Sequence, residues 1–424
     1  MTEIHLNCTH IFFILYLIGS CLDFGINQWL EYIDFRHRKK YGREIPPEFA
    51  AYIDAATVEK TCQYEDARYK YWLPKNILGF VIALALVFSG FYPVLFNNIY
   101  SWTQNSFLIA LLFTVLSSLP EAIIFLPFRL YREFVIEKRF GFSTMTLRLW
   151  IIDQLKGLIV SALLMIPLLF AMIMVLEHWN NWWWLLLGGI YVVFSLAVSL
   201  IYPAFIAPLF NKFTPLEDGE LKTLLTDALT QTGFKASGLF VMDASKRSKH
   251  SNAYFTGFGK TKRVVLYDTL IAQLSPQEIK AVLGHELGHY KHHHITKKLC
   301  VMFPLIFAAL FLASLFIKNP DLYTAFGFTV EPIPQIQFLG IFLISMVFGG
   351  FSTMFSPISN FFSRRDEFQA DAFAKNLCGT GKTLTSSLIK LNKENLSELT
   401  EPKIYSIFNY SHPPLLERIR ALSD

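Results

Sequence analysis

The sequence predicts a predominantly α-helical integral membrane protein: a bundle of seven transmembrane helices joined to a small α+β unit. Composition, the number of long apolar runs and the charge of the loops between them predict it. Of 424 residues, 53% are hydrophobic and 17% charged, and 41 are Phe; the mean hydropathy is +0.37. A soluble domain is nearer a quarter charged. The net charge of +5 is modest, and in such a chain Lys and Arg mark cytoplasmic loops rather than a nucleic-acid surface. The five cysteines (Cys8, Cys21, Cys62, Cys300 and Cys378) are odd in number and scattered, so neither a disulfide framework nor a cysteine zinc site is indicated.

Seven apolar runs lie near 11–30, 77–96, 106–127, 152–175, 183–205, 299–317 and 337–357. Each approaches the roughly 20 residues that a helix needs to cross the hydrocarbon core. The opening MTEIHLNCTH has no Lys or Arg, so the first run reads as a retained span, not a cleaved signal. FRHRKKYGR follows span one and RLYREFVIEKRFGFSTMTLR follows span three, whereas NNIYSWTQNS and LEHWNNWW, after spans two and four, carry no Lys or Arg. The positive-inside rule then places the N-terminus outside and both large polar regions, 206–298 and 358–424, in the cytoplasm. The expected organisation is five spans with basic loops in 1–205, an α+β unit in 206–298, spans six and seven in 299–357, and a cytoplasmic C-terminal part in 358–424.

Within the α+β unit, LEDGELKTLLTDALTQTGF has Leu221, Leu224, Leu225 and Leu229 at helical spacing. GLFVMDA and RVVLYDTL read as strands. HSNAYFTGF (250–258), between them, reads as an edge strand able to pair with an extended peptide backbone, or as an ordinary hairpin. SPQE at 275–278 is a capping box with Pro at the first helical position. The helix it opens carries the histidines and meets no breaker before Pro304, so it is expected to continue into span six.

That helix contains AVLGHELGHYKHHH (281–294), with HELGH at 285–289. His285 and His289 are four residues apart, so both imidazoles project from one helical face and can share a cation. Glu286 can reach the open coordination position and take a proton from a water that zinc makes acidic. A catalytic zinc takes a third protein ligand. SRRDEFQADAFA, after span seven, supplies Glu367 for that place. Asp371, one turn on, can accept the far N–H of a ligating histidine. The plainer reading is a surface helix with charges four residues apart. His292, His293 and His294 read as interfacial polarity where the helix enters the membrane, with hydrogen bonding near the site as the alternative. YSHPPLLERIRAL contains His412, which can stabilise an oxyanion or simply start a helix.

With these residues in place, the sequence resembles the integral-membrane zinc metalloproteases called type I CAAX prenyl proteases, the Ste24 group of the M48 peptidases. The resemblance runs through LPFRLYREFVIEKRFGFSTMTLRLWIIDQLKG, YPAFIAPLFNKFTPLEDGELK, SKRSKHSNAYFTGF, VLGHELGHYKHHH, RRDEFQADAFA and YSHPPLLERI, nearly the whole chain. It implies seven helices around an intramembrane chamber, capped by a small zincin-like metalloprotease domain. It implies one Zn2+ held by His285, His289 and Glu367, with Glu286 as general base and Asp371 behind the ligands. Asn252 and Ala253 would lie on the substrate-binding edge strand, as similar Asn-Ala segments do in thermolysin-like enzymes. His412 would stabilise the transition state, and Arg418 would support or contact the substrate. The implied partners are the bilayer and a prenylated or otherwise membrane-associated peptide, whose lipid is stable in hydrocarbon while its peptide reaches water. The C-terminal ALSD has no retrieval signal, so both the endoplasmic reticulum and a bacterial inner membrane fit. Two other readings remain: a broad-specificity protease clearing membrane proteins, and a transporter or receptor with a structural zinc.

Overall fold

The computed structural model describes residues 6–179, 181–234, 236–256, 263–329 and 337–423. The tip of the expected edge-strand segment, 257–258, lies outside them. Helix α1 (Ile11–Tyr41) ends on Arg38, Lys39 and Lys40, cations that suit the negative end of the helix dipole. Asp54 caps α2 (Ala55–Phe88) through the Thr57 N–H. The expected second span, 77–96, straddles a break: Gly90 takes φ 67°, and α3 (Phe91–Trp102) starts beyond it. A left-handed backbone is open to glycine at little cost and ends a helix there. Next come α4 (Ser106–Ile124), α5 (Leu126–Tyr131) with a π-helical turn over Arg132–Glu137, α6 (Leu147–His178), and α7 (Trp183–Ile201), which continues through a second π-turn into α8 (Ala207–Phe210).

The smaller unit starts with β1 (Phe213–Pro215) and α9 (Glu220–Gln231), followed by β2 (Gly238–Met242), β3 (Ala253–Thr256) and β4 (Arg263–Tyr267). The strand order is β1-β2-β4-β3, with β2 and β4 parallel and the other pairs antiparallel. Among the described residues β3 is an edge. Helices α10 (Asp268–Gln273) and α11 (Pro276–Lys291) follow, and α11 opens on the expected capping box of Ser275 and Glu278. Its apolar face buries Ile279, Leu283 and Leu287 against Leu225, Val264 and Leu266.

The helix does not run on into span six. His292 caps α11, His293 adopts φ 55°, and α12 (His294–Phe316) starts anew. A non-glycine residue held there costs about 1 kcal/mol. The turn sends His294 back toward the preceding helix. Then come α13 (Pro320–Thr324), α14 (Gln337–Gly349), α15 (Ser356–Cys378), α16 (Lys382–Glu394), α17 (Lys403–Asn409) and α18 (Leu415–Leu422).

Among the described residues, six helices are long and apolar enough to cross a membrane, or seven if 337–349 and 352–378, bent by 59° at their junction, form one span. No more than 22% of the most apolar stretch of any of the six is buried, so these helices turn large apolar faces outward, as lipid contact requires. The bundle core is aromatic: Phe13, Phe96, Phe113 and Tyr323 are essentially inaccessible, and Phe113 meets Phe342 edge-on at 5.2 Å. At the bend, a Cβ on Gly350 would stand 2.4 Å from the Gly19 carbonyl carbon. Only glycine permits that approach to α1.

Candidate metal centre

Two helices build the centre. Helix α11 presents His285 and His289, and α15 presents Glu367 and Asp371. They pack unusually close because α11 has glycine at both contact positions. A Cβ on Gly284 would lie 3.3 Å from the Ala374 Cα, and one on Gly288 only 2.7 Å from the Ala370 Cα. Sequence reasoning missed this use of GHELGH. Glycines four apart, each one residue before a histidine, were the available signal.

The close packing brings the two imidazoles and the Glu367 carboxylate into a triangle of residues, with one ligand atom from each within 4.8 Å of the others. The Nε2 atoms of His285 and His289 are 3.2 Å apart; His285 Nε2 is 3.3 Å from Glu367 Oε2 and His289 Nε2 is 3.3 Å from Glu367 Oε1. A tetrahedral ion with bonds of about 2.0–2.1 Å separates its ligands by roughly 3.3–3.4 Å, so each of these pairwise separations suits zinc. Glu367 is 4% exposed and its Oε2 is buried without a hydrogen bond. The electrostatics also call for a cation. Burial alone would lower the His285 pKa, but Asp371 and Glu367 outweigh it and hold the ring at about 9.

The polar groups behind the triangle fix both imidazoles. The His285 Nδ1–H donates to Asp371 Oδ1 at 2.8 Å, so Nε2 is the nitrogen that would exchange its proton for a metal ion. Arg418, from α18, is 8% exposed and clasps Asp371 with Nε and Nη2 at 2.8 and 2.7 Å. Behind His289 stands His294, 1% exposed. Its Nδ1 is 3.0 Å from His289 Nδ1, and its Nε2 is 3.0 Å from Gln369 Oε1 and 3.5 Å from Asp366 Oδ1. An acceptor at Gln369 assigns the His294 proton to Nε2. His289 therefore donates from Nδ1 and keeps Nε2 free. The histidine triplet thus puts one member behind the site rather than at the membrane surface; the left-handed turn at His293, invisible in composition, places it there.

Glu286 accepts no hydrogen bond from the described residues. Burial raises its carboxyl pKa above the usual range, a shift that the neighbouring histidines oppose when charged. His412 reaches the triangle from the C-terminal segment, with Nε2 3.5 Å from Glu367 Oε1 and a 62% exposed side chain. Asn252 and Ala253 sit where β3 begins. The Asn252 carbonyl accepts from Tyr267 N–H on β4, and Ala253 N–H donates to the Asn252 side chain. Backbone groups of successive strand residues alternate sides, so the Ala253 carbonyl faces the free edge. Ala253 shares an apolar cluster with Leu283 and Leu287 of α11, so that edge runs beside the HELGH helix. Just upstream, His250 bonds Asn395 at 2.8 Å, faces Glu137 at 3.7 Å and stacks on Phe142 at 4.1 Å.

Comparison with known proteins agrees with this geometry. Residues 34–212 match the CAAX prenyl protease N-terminal domain of five membrane helices, and residues 215–424 match peptidase family M48. The CAAX prenyl protease 1 homolog of Oryza sativa subsp. japonica is 36% identical, with 93% of each chain covered. The Homo sapiens homolog is 34% identical, covering 96% of this chain and 95% of its own. The crystal structure of S. mikatae Ste24p superposes with a TM-score of 0.88 at 33% identity, over 96% of this chain and 99% of that one. A His-His-Glu triangle between a membrane-helix bundle and a small mixed sheet, matched from end to end, leaves one conclusion: the chain belongs to the CAAX prenyl protease 1 family of M48 membrane zinc metalloendopeptidases.

Proposed function

We propose that the protein hydrolyses peptide bonds near the C-terminus of prenylated CAAX proteins at this centre. The group of His285, His289 and Glu367 carries the reading, because its spacing suits zinc and three protein ligands are the number a catalytic zinc takes. His285, His289 and Glu367 hold the ion. When bound, zinc polarises the scissile carbonyl and makes water acidic enough to ionise near neutral pH. The chain's own groups do the rest. An extended peptide pairs with the Ala253 carbonyl on the free edge of β3, and the Asn252 amide is placed to bond it further. Glu286 accepts the proton of the attacking water and returns it to the leaving amine. His412, exposed beside the triangle, donates to the oxyanion. Arg418 acts through Asp371, holding the His285 tautomer. The four segments 1–205, 206–298, 299–357 and 358–424 then divide the work between lipid-facing bundle and catalytic unit. By the positive-inside rule the basic loops favour an outside N-terminus and a catalytic unit on the cytoplasmic side, and an endoplasmic reticulum membrane suits this reading.

The test is cleavage of a farnesylated CAAX peptide and its unprenylated twin by the purified protein and by Glu286→Gln. Cleavage of the lipidated peptide, lost in a variant that still binds zinc, supports the reading. Equal cleavage of both peptides keeps the chemistry and removes the lipid requirement. Full activity of Glu286→Gln overturns the catalytic assignment.

A further inference from the structure

The N-terminal end of β3 opens into a second polar space. A cavity of about 760 Å³ is lined there by Arg247, Ser248 and His250 on one side and by Lys75, Arg129 and Arg132 on the other. Most of its charges are already paired. Arg247 is bidentate to Asp153, Arg132 faces Glu137 at 3.6 Å, and Glu133 accepts from Ser143. Two cations are not. Arg129 donates only to the Ala122 carbonyl, and the Lys75 ammonium lies over the Phe125 ring at 5.5 Å. Neither has a carboxylate within 4 Å among the described residues. Glu121, also in the wall, is the one acid there without a described partner, so the free groups leave an excess of positive charge.

The function proposed above does not require these cations, and it leaves the direction of the bound peptide open. A strand added to β3 can lie with either terminus at this end. Residues 250 to 253 lead from the cavity wall to the start of β3, a reach of about 10 Å if extended. We propose that Lys75 and Arg129 receive the free C-terminal carboxylate of the substrate, so that the peptide lies antiparallel to β3 with its C-terminus in this cavity. The proposal rests on the peptidase reading and deepens it. The pair measures the distance from chain end to scissile bond, and it selects a terminal carboxylate over an internal segment.

Charged hydrogen bonds of this kind are worth about tenfold to a hundredfold in affinity. The experiment compares one farnesylated peptide as free acid and as C-terminal amide. The expected acid-to-amide ratio of kcat/KM is about tenfold or more in the unaltered enzyme, expressed in KM, and falls to near one in Lys75→Met/Arg129→Gln. A ratio near one in the unaltered enzyme overturns the proposal and leaves the two cations to lipid phosphates. A ratio that survives the double substitution also overturns it. Calorimetric binding of an aliphatic tripeptide, as acid and as amide, reads the same discrimination without catalysis. If no peptide is cleaved but the tripeptide acid binds better and loses that advantage in the variant, the peptidase reading fails and the carboxylate site stands.

Discussion

Replacing Gly288 by alanine puts the closeness of the two ligand helices to a quantitative test. The added Cβ would sit 2.7 Å from Ala370 Cα, 3.0 Å from Ala370 O and 3.1 Å from Phe373 Cβ. Two of these are backbone atoms, so no side chain can rotate away. Restoring an ordinary contact of 3.4 Å needs 3.4 − 2.7 = 0.7 Å of separation. Glu367 lies one turn before Ala370 on the same helix and moves with it. A metal site tolerates about 0.2 Å in ligand distance, so the shift strains the third ligand well beyond that. Overpacking of this kind costs about 1–3 kcal/mol, which taken from zinc affinity is roughly 5- to 150-fold. Gly284→Ala is the control, since its Cβ would meet Leu377 Cδ2 at 3.2 Å and Ala374 Cα at 3.3 Å and needs only a small adjustment. The assay is zinc competition against a chelating dye in detergent, with the thermal midpoint measured with and without zinc. We expect Gly288→Ala to weaken zinc strongly and Gly284→Ala several-fold less. Unchanged zinc affinity in Gly288→Ala, or equal damage in both, would refute the account of the glycines.

Other outcomes follow from the same geometry. Glu286→Gln should bind zinc like the parent and lose about 10²- to 10⁴-fold in turnover, the usual span for a general base; zinc content and kcat measured together decide it. His294→Ala should weaken zinc about 10- to 100-fold, because His289 loses the partner that fixes its ring, while His292→Ala should change it far less; chelator titration compares them. Removing zinc with a chelator should abolish hydrolysis, and stoichiometric zinc should restore it. The Glu137 hydrogen bond raises the His250 pKa above its ordinary 6.5, and burial opposes it. Its stabilisation is therefore complete below about 6.5 and is lost as pH rises through the folded value. The difference in thermal midpoint between the parent and His250→Gln should shrink as pH increases, and a difference that grows would contradict the assignment.

The bundle was legible because lipid imposes a coarse rule, some twenty apolar residues per span, that composition alone satisfies. The first, fourth, fifth and sixth spans follow it closely. The second did not, since Gly90 breaks the apolar run at a point hydropathy cannot see. The strands at β2 and β4 and the capping box at Ser275 were readable from local chemistry. β1, only three residues long, has no pattern to read. The triangle of His285, His289 and Glu367 could be assembled from spacing because each helix displays its own residues. The contact between those helices could not, and neither could the role of His294. Both depend on where a backbone turns or yields to its neighbour, at His293, Gly284 and Gly288.

The break at His292 and His293 and the 59° bend before α15 share a consequence. Each helix that carries the proposed ligands adjoins another across a break: α11 meets the long apolar α12 at His293, and α15 meets the apolar α14 at the bend. An ion held by His285, His289 and Glu367 would thus be gripped between two rods, each joined to an apolar helix. Such helices answer a change in bilayer thickness partly by tilting, and a change of tilt would alter how the jaws meet. Membrane thickness would thereby act as a mechanical load on the metal held between them.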